Sequence, residues 1–387
     1  MVHEPRDIRA TRRHRRLPLR SRLGPTAAVA LLAATVAGAS VATAAQTDKR
    51  RGAVRQATPI VFGIYPGGAA GTVGPAGRTL PEDAGLRQAA LEQLRGGERP
   101  FVLHLYDSYT QPGDADSVPA ALASQIAGYA AAGFQVELVL TYRPAAATGD
   151  VAGFTDFVRA RVRQLGPNPG VTGLQVTNEA NITAGPDAAD GAYPGARDAL
   201  VRGVIAAKDE ARRGGFDQLG VGFNWAYQRG RAEAAFFSSL GDIGGRAFAR
   251  AVDWVGVDAY PGTWGPKLAP GGLAAAVRAA TIDAMRTLRR SLLPRAGLSG
   301  AALHFSESGY PTGSGRTEAM QQTVMRATVQ AIADTGEAYG VTDYRWFDLR
   351  DADSATTSFE SQYGITRDDY SPKAAFFTYR DLIAKLG

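Results

Sequence analysis

Two glutamates hold positions where carboxyl chemistry can be built. Glu179 closes the stretch Leu174-Gln175-Val176-Thr177-Asn178-Glu179, and Glu307 closes Leu303-His304-Phe305-Ser306-Glu307. Each falls where a short apolar run gives way to a loop. Two carboxyl groups about 5–5.5 Å apart across one substrate can split a glycosidic bond with retention: one attacks the anomeric carbon, the other protonates the leaving oxygen. Either residue alone reads equally well as a solvated strand end. A matched pair at corresponding ends of two opposed strands does not.

Other chemistries lack their residues. The 387-residue chain has no Cys, which removes thiol nucleophiles, disulfides and Cys-based metal sites. Its four His are His3, His14, His104 and His304, with no HExxH or HxH spacing, so no metal is expected. There is no GxGxxG, no GxxxxGK[ST] and no GxSxG, hence no sign of a dinucleotide, a nucleotide or an esterase elbow, and no cofactor is expected. The net charge of +6 is local: residues 1–45 hold eight Arg against Glu4 and Asp7, leaving 35 basic and 35 acidic residues elsewhere. A basic face for nucleic acid is therefore not expected.

The glutamates need elements to hold them. Eight apolar, β-branched or aromatic runs recur at roughly 40-residue intervals: 60–65, 101–106, 135–141, 173–178, 219–224, 253–258, 302–306 and 342–347. Helix-period segments separate them, among them 118–132, 151–165, 200–213 and 273–293. Strands alternating with helices imply parallel βαβ units, and continuous apolar runs suit strands buried on both faces. Eight units in about 330 residues predict an α/β fold, the closed (β/α)8 TIM barrel, with function at the C-terminal ends of its strands. Residues 58–387 form one catalytic domain on this reading. Glu179 then ends the fourth strand and Glu307 the seventh, across the mouth from each other. The Gly/Pro-rich stretch 66–85 becomes a loop on that face, as a substrate wall or a plain surface loop.

Asn178-Glu179 and Ser306-Glu307-Ser308-Gly309-Tyr310-Pro311 resemble the corresponding segments of clan A retaining glycoside hydrolases, (β/α)8 enzymes that act on β-linked glycans. Val255-Gly256-Val257-Asp258-Ala259-Tyr260-Pro261 resembles the sixth strand of that clan, and Tyr344-Arg345-Trp346-Phe347-Asp348 the eighth. The resemblance implies Glu307 as nucleophile, Glu179 as acid/base, Asn178 on the sugar 2-hydroxyl, Tyr260 orienting the nucleophile and Trp346 as the floor of the sugar subsite. The nucleophile segment is most similar to endo-β-1,3-glucanases. Two departures stand out: Asn-Glu-Pro-Asn reads Asn178-Glu179-Ala180-Asn181, and the second strand lacks the Arg common in the clan. Arg143 or His104 is expected to supply the missing positive or donor group near the nucleophile.

Aromatics add to this reading. Trp225, Trp264, Tyr65 and Tyr106 fall at or just past strand ends, where flat rings can pack against pyranose C–H faces. Trp254 starts a strand and is expected in the core. His304, one residue out of phase with Glu307, is expected to face the helices. At the N-terminus, Arg12, Arg13, Arg15 and Arg16 precede an apolar run from about Leu23 to Val41 and small residues at 42–45. That order predicts a secretory signal over residues 1–45, with an uncleaved signal-anchor as the alternative and 46–57 as a linker. The expectation is a secreted, monomeric, endo-acting retaining glycosidase whose partner is a poly- or oligosaccharide, touching membrane only through an uncleaved leader. A catalytically silent carbohydrate-binding barrel is the alternative.

Overall fold

The computed structural model describes residues 59–67, 80–186 and 188–387. Eight parallel strands close into a barrel in chain order: β1 (Val61–Ile64), β2 (Phe101–Tyr109), β3 (Gln135–Tyr142), β4 (Val171–Val176), β5 (Gly220–Ala226), β6 (Trp254–Asp258), β7 (Ala302–Glu307) and β8 (Val341–Trp346). The closing pair runs from Val61 opposite Asp343 to Ile64 opposite Trp346. Helices α1 (Ala84–Arg95), α2 (Ala120–Ala131), α3 (Val151–Leu165), α4 (Ala196–Gly214), α5 (Arg231–Ala251), α6 (Leu273–Thr287), α7 (Glu318–Thr335) and α8 (Ala374–Leu386) each follow the strand of the same number. This is the expected (β/α)8 barrel. The apolar periodicity over 273–293 continues past α6 as a wider turn, Leu288–Leu292, and a tighter one, Leu293–Ala296, that accommodates Pro294. The leader, the linker and loop residues 68–79 lie outside the described residues. Among the described residues no helix is long and apolar enough to cross a membrane.

Period-2 alternation decides which side chains reach the barrel axis. On β5, Phe223 and Trp225 pack toward Phe237 of α5, while Asn224 points inward. On β8, Tyr344 and Trp346 meet Tyr379 of α8, while Arg345 points inward. Glycines leave room for large inward groups. A Cβ at Gly63 would lie 2.5 Å from Arg345 Cδ, and one at Gly173 2.9 Å from Glu137 Cγ, both shorter than real contacts.

One register shift matters for the site. Gly256 pairs with His304 but Asp258 pairs with Glu307, so two steps along β6 match three along β7. The extra residue breaks the alternation, and His304 and Glu307 both face inward. His304 accordingly stacks on Trp254 at 4.5 Å inside the barrel, not against the helices as its phase had suggested.

Candidate active site

The loop after β4 presents Glu179 in a conformation that L-residues seldom adopt. Thr177 and Glu179 both have left-handed φ, 66° and 49°. Such residues cost free energy and persist only where neighbours over-determine them. Here the buried Asp190 carboxylate accepts from the Asn178 amide at 2.8 Å and the Tyr142 amide at 2.6 Å. Asn224 Oδ1 accepts from the Glu179 amide at 2.8 Å, and its Nδ2 donates to Asn178 Oδ1 at 2.8 Å. Asn181 bonds both backbone groups of Ala226, at 2.9 and 3.0 Å. The loop is thereby clamped between β3 and β5.

Glu307 ends β7 across the mouth. The Tyr106 and Tyr260 hydroxyls donate to its two oxygens, Tyr260 at 2.6 Å. His104 Nε2 lies 3.8 Å from the same carboxylate. A third carboxyl, Asp258, is buried beside the pair and accepts from Ser306 Oγ at 2.6 Å and from Asn224 Nδ2. Oxygens of Glu179, Asp258 and Glu307 all lie within 4.8 Å of one another, the one such carboxylate triad among the described residues. Glu307 and Asp258 accept hydrogen bonds on both oxygens, so this triad is lined by proton donors.

Environment separates the two glutamates. Burial, the Glu307 charge and Asp190 raise the Glu179 carboxyl from its ordinary range to about 8. Among the described residues Glu179 has no side-chain donor comparable to the two tyrosines at Glu307. Burial likewise pushes Asp190 up to about 7 and Asp258 well above the carboxylate range, the latter helped by the Glu307 and Glu179 charges. A site that holds one carboxyl protonated at neutral pH, beside another supplied with hydrogen bonds to its charged form, is equipped for acid/base and nucleophilic work.

The structure sorts the expected site residues into two groups. Glu179, Glu307, Tyr106, Tyr260 and Tyr65 share the mouth; Tyr65 stacks on Phe347 at 5.0 Å and meets Tyr106 edge-on. Trp264 stands at the rim, 50% exposed, its indole N–H donating to Tyr363 Oη at 2.6 Å. Trp225 and Trp346 are not in the cleft. Both are fully buried against the helix layer, Trp225 donating to Glu233 at 2.6 Å, because Asn224 and Arg345 take the inward positions beside them. Phe347, one residue on from Trp346, supplies the ring at the end of β8, between Tyr65, Tyr260 and Tyr363. Arg143 does not stand behind Glu307: its Nε approaches Asp190 at 3.8 Å, and His104 takes the place beside the nucleophile candidate. Asn178 spends its amide on Ala188 O at 3.0 Å as well as on Asn224, which leaves one N–H for a sugar hydroxyl. Asp258, Asn224, Asp190 and Phe347 were not foreseen as site residues. Asn224 and Asp258 could have been, since each is the polar residue at the inward-facing end of an apolar strand.

No family model matches the chain, and no curated protein matches it. Solved structures do share the barrel. A family 39 glycoside hydrolase from Bacteroides cellulosilyticus superposes with a TM-score of 0.55 at 13% identity, over 84% of this chain and 64% of that one. A β-glucosidase from Thermotoga maritima gives 0.55 at 11% identity, over 85% and 98%. A β-glucuronidase from an uncultured Clostridium gives 0.52 at 12%, over 85% and 50%. The chain thus spans under two thirds of the length of the first and last of these. At such identities the likeness establishes the fold.

Proposed function

We propose that the chain is a retaining glycoside hydrolase that cleaves β-linked glycans by double displacement. The observation that carries this reading is that one oxygen of Glu179 and one of Glu307 lie within 4.8 Å of each other at the barrel mouth, the close approach that a retaining pair about 5–5.5 Å apart requires. Glu307 attacks the anomeric carbon while Glu179 transfers its proton to the glycosidic oxygen, and the C–O bond breaks to leave a glycosyl ester. Glu307 has then lost the charge that helped keep Glu179 protonated, so Glu179 becomes a competent base. It takes a proton from water, the water oxygen bonds to the anomeric carbon, and Glu307 leaves as carboxylate. Tyr106 and Tyr260 keep Glu307 oriented throughout.

The three structural neighbours carry glycosidase names, which agrees with a carbohydrate substrate. Endo action on a polysaccharide belongs to this proposal, with the half-exposed Trp264 ring at the rim as a face for a sugar beyond the one held at Glu307. Export outside the cell rests on the Arg-rich, then apolar, leader. The reading is tested by assaying wild type, Glu179→Gln and Glu307→Gln on β-1,3- and β-1,4-glucans, mannan, xylan and galactan. Hydrolysis of one of these by wild type should fall by about a hundredfold or more in each variant while binding persists. Binding without hydrolysis in wild type would make the chain a carbohydrate-binding barrel instead.

A further inference from the structure

The barrel beneath the carboxylates is threaded by charge. His104 and Glu137 are nearly fully buried, as is Arg345, and all three face the axis. His104 Nδ1 lies 2.9 Å from Glu137 Oε1, and its Nε2 lies 3.2 Å from the Tyr106 hydroxyl, which in turn donates to Glu307. Arg345 Nη2 reaches Glu137 at 3.6 Å and Asp343 at 2.9 Å. His304 Nε2 is 3.3 Å from Asp343, while its Nδ1 is 3.7 Å from Glu137, beyond hydrogen-bond reach. The β1 and β4 positions at this level are Gly63 and Gly173, which bring no charge and make room for Arg345 and Glu137.

Donor and acceptor logic fixes the protons of His104. Tyr106 spends its one proton on Glu307, so its oxygen offers only lone pairs to Nε2, and Nε2 must carry hydrogen. Glu137 is held ionised beside Arg345 and accepts only, so Nδ1 must carry hydrogen too. A ring protonated at both nitrogens is a cation.

We propose that His104 is a resident imidazolium, clamped between Glu137 and the Tyr106–Glu307 hydrogen bond, and that it acts as the positioning residue that favours the charged form of Glu307. It rests on Glu307 being the ionised nucleophile. Burial opposes the cation, and the contacts to Glu137 and Glu307 outweigh it, so the ring holds its proton above the ordinary range for histidine.

The test reads the ring directly. In ¹⁵N-histidine-labelled protein, the resonances missing from His104→Gln belong to His104. Both nitrogens should stay protonated from about pH 5.5 to about pH 8.5, a range in which an ordinary histidine titrates. A single neutral tautomer at neutral pH would overturn the proposal. In Glu137→Gln the same ring should begin to titrate within that range. On a cleaved glycan, the acidic limb of kcat/KM should move up by about one pH unit or more in His104→Gln, because Glu307 loses its neighbouring cation. A purely structural role would lower kcat and leave that limb in place, and an unmoved limb would contradict the proposal. Should no glycan be cleaved, the ring resonances still decide the charge of His104, and the failure belongs to the glycosidase reading.

Discussion

At the scale of residues, two carboxyl groups of the same type are given opposite tasks by what surrounds them. Glu307 meets two phenolic donors and a histidine, whereas Glu179 meets burial and negative neighbours that raise it to about 8. A general acid works only while protonated, so kcat/KM on an unactivated glycan should fall as pH rises past about 8. On an aryl glycoside whose leaving group needs no proton, that basic limb should vanish. A limb that persists unchanged on both substrates would remove Glu179 from the role. The pair was legible in the sequence because a carboxylate ending an apolar run is conspicuous. The raised carboxyls at Asp190 and Asp258 were less so, since their significance lies in neighbours contributed by other strands.

At the scale of elements, the strand boundaries followed from apolar runs, and their facing did not always follow. Trp225 and Trp346 drew attention as aromatics at strand ends, yet strict alternation from the inward Asn224 and Arg345 turns them toward α5 and α8. Alternation in turn misplaced His304, because an extra residue on β7 resets the phase. No local pattern in Ala302–Glu307 announces that shift; it arises from pairing with β6. The β4 loop shows what such pairing supports. Asn224 joins the Glu179 amide, Asn178 and Asp258 from a fully buried position. Asn224→Ala should strand these groups, cost about 1–3 kcal/mol in urea unfolding, and lower kcat more than it alters KM. Unchanged stability and rate would show that the left-handed turn at Glu179 is held by Asp190 without it.

For the whole molecule, buried acids set the dependence of stability on pH. Glu179 at about 8, Asp190 at about 7 and Asp351 at about 6 are all raised by burial. Each keeps in the folded state a proton that the unfolded chain releases above about pH 4, so folding binds protons and stability falls as pH rises. Glu137 and Asp343 are lowered against burial by Arg345 and histidine partners, and their contribution is lost only as pH falls below the ordinary carboxylate range. Between these limits the raised groups dominate. The thermal midpoint should therefore drop by on the order of a few degrees from about pH 5.5 to about pH 8. Glu179→Gln should flatten that slope, and a midpoint that climbs over the same range would contradict the assignment of protons.

The central claim concerns the path taken at the anomeric carbon. Proton NMR on a freshly started digest of a susceptible β-glycan resolves the newly formed reducing ends before mutarotation mixes them. Two displacements, first by Glu307 and then by water activated at Glu179, predict that the β-anomer appears first. Initial accumulation of the α-anomer would mean a single inverting displacement and would contradict the account.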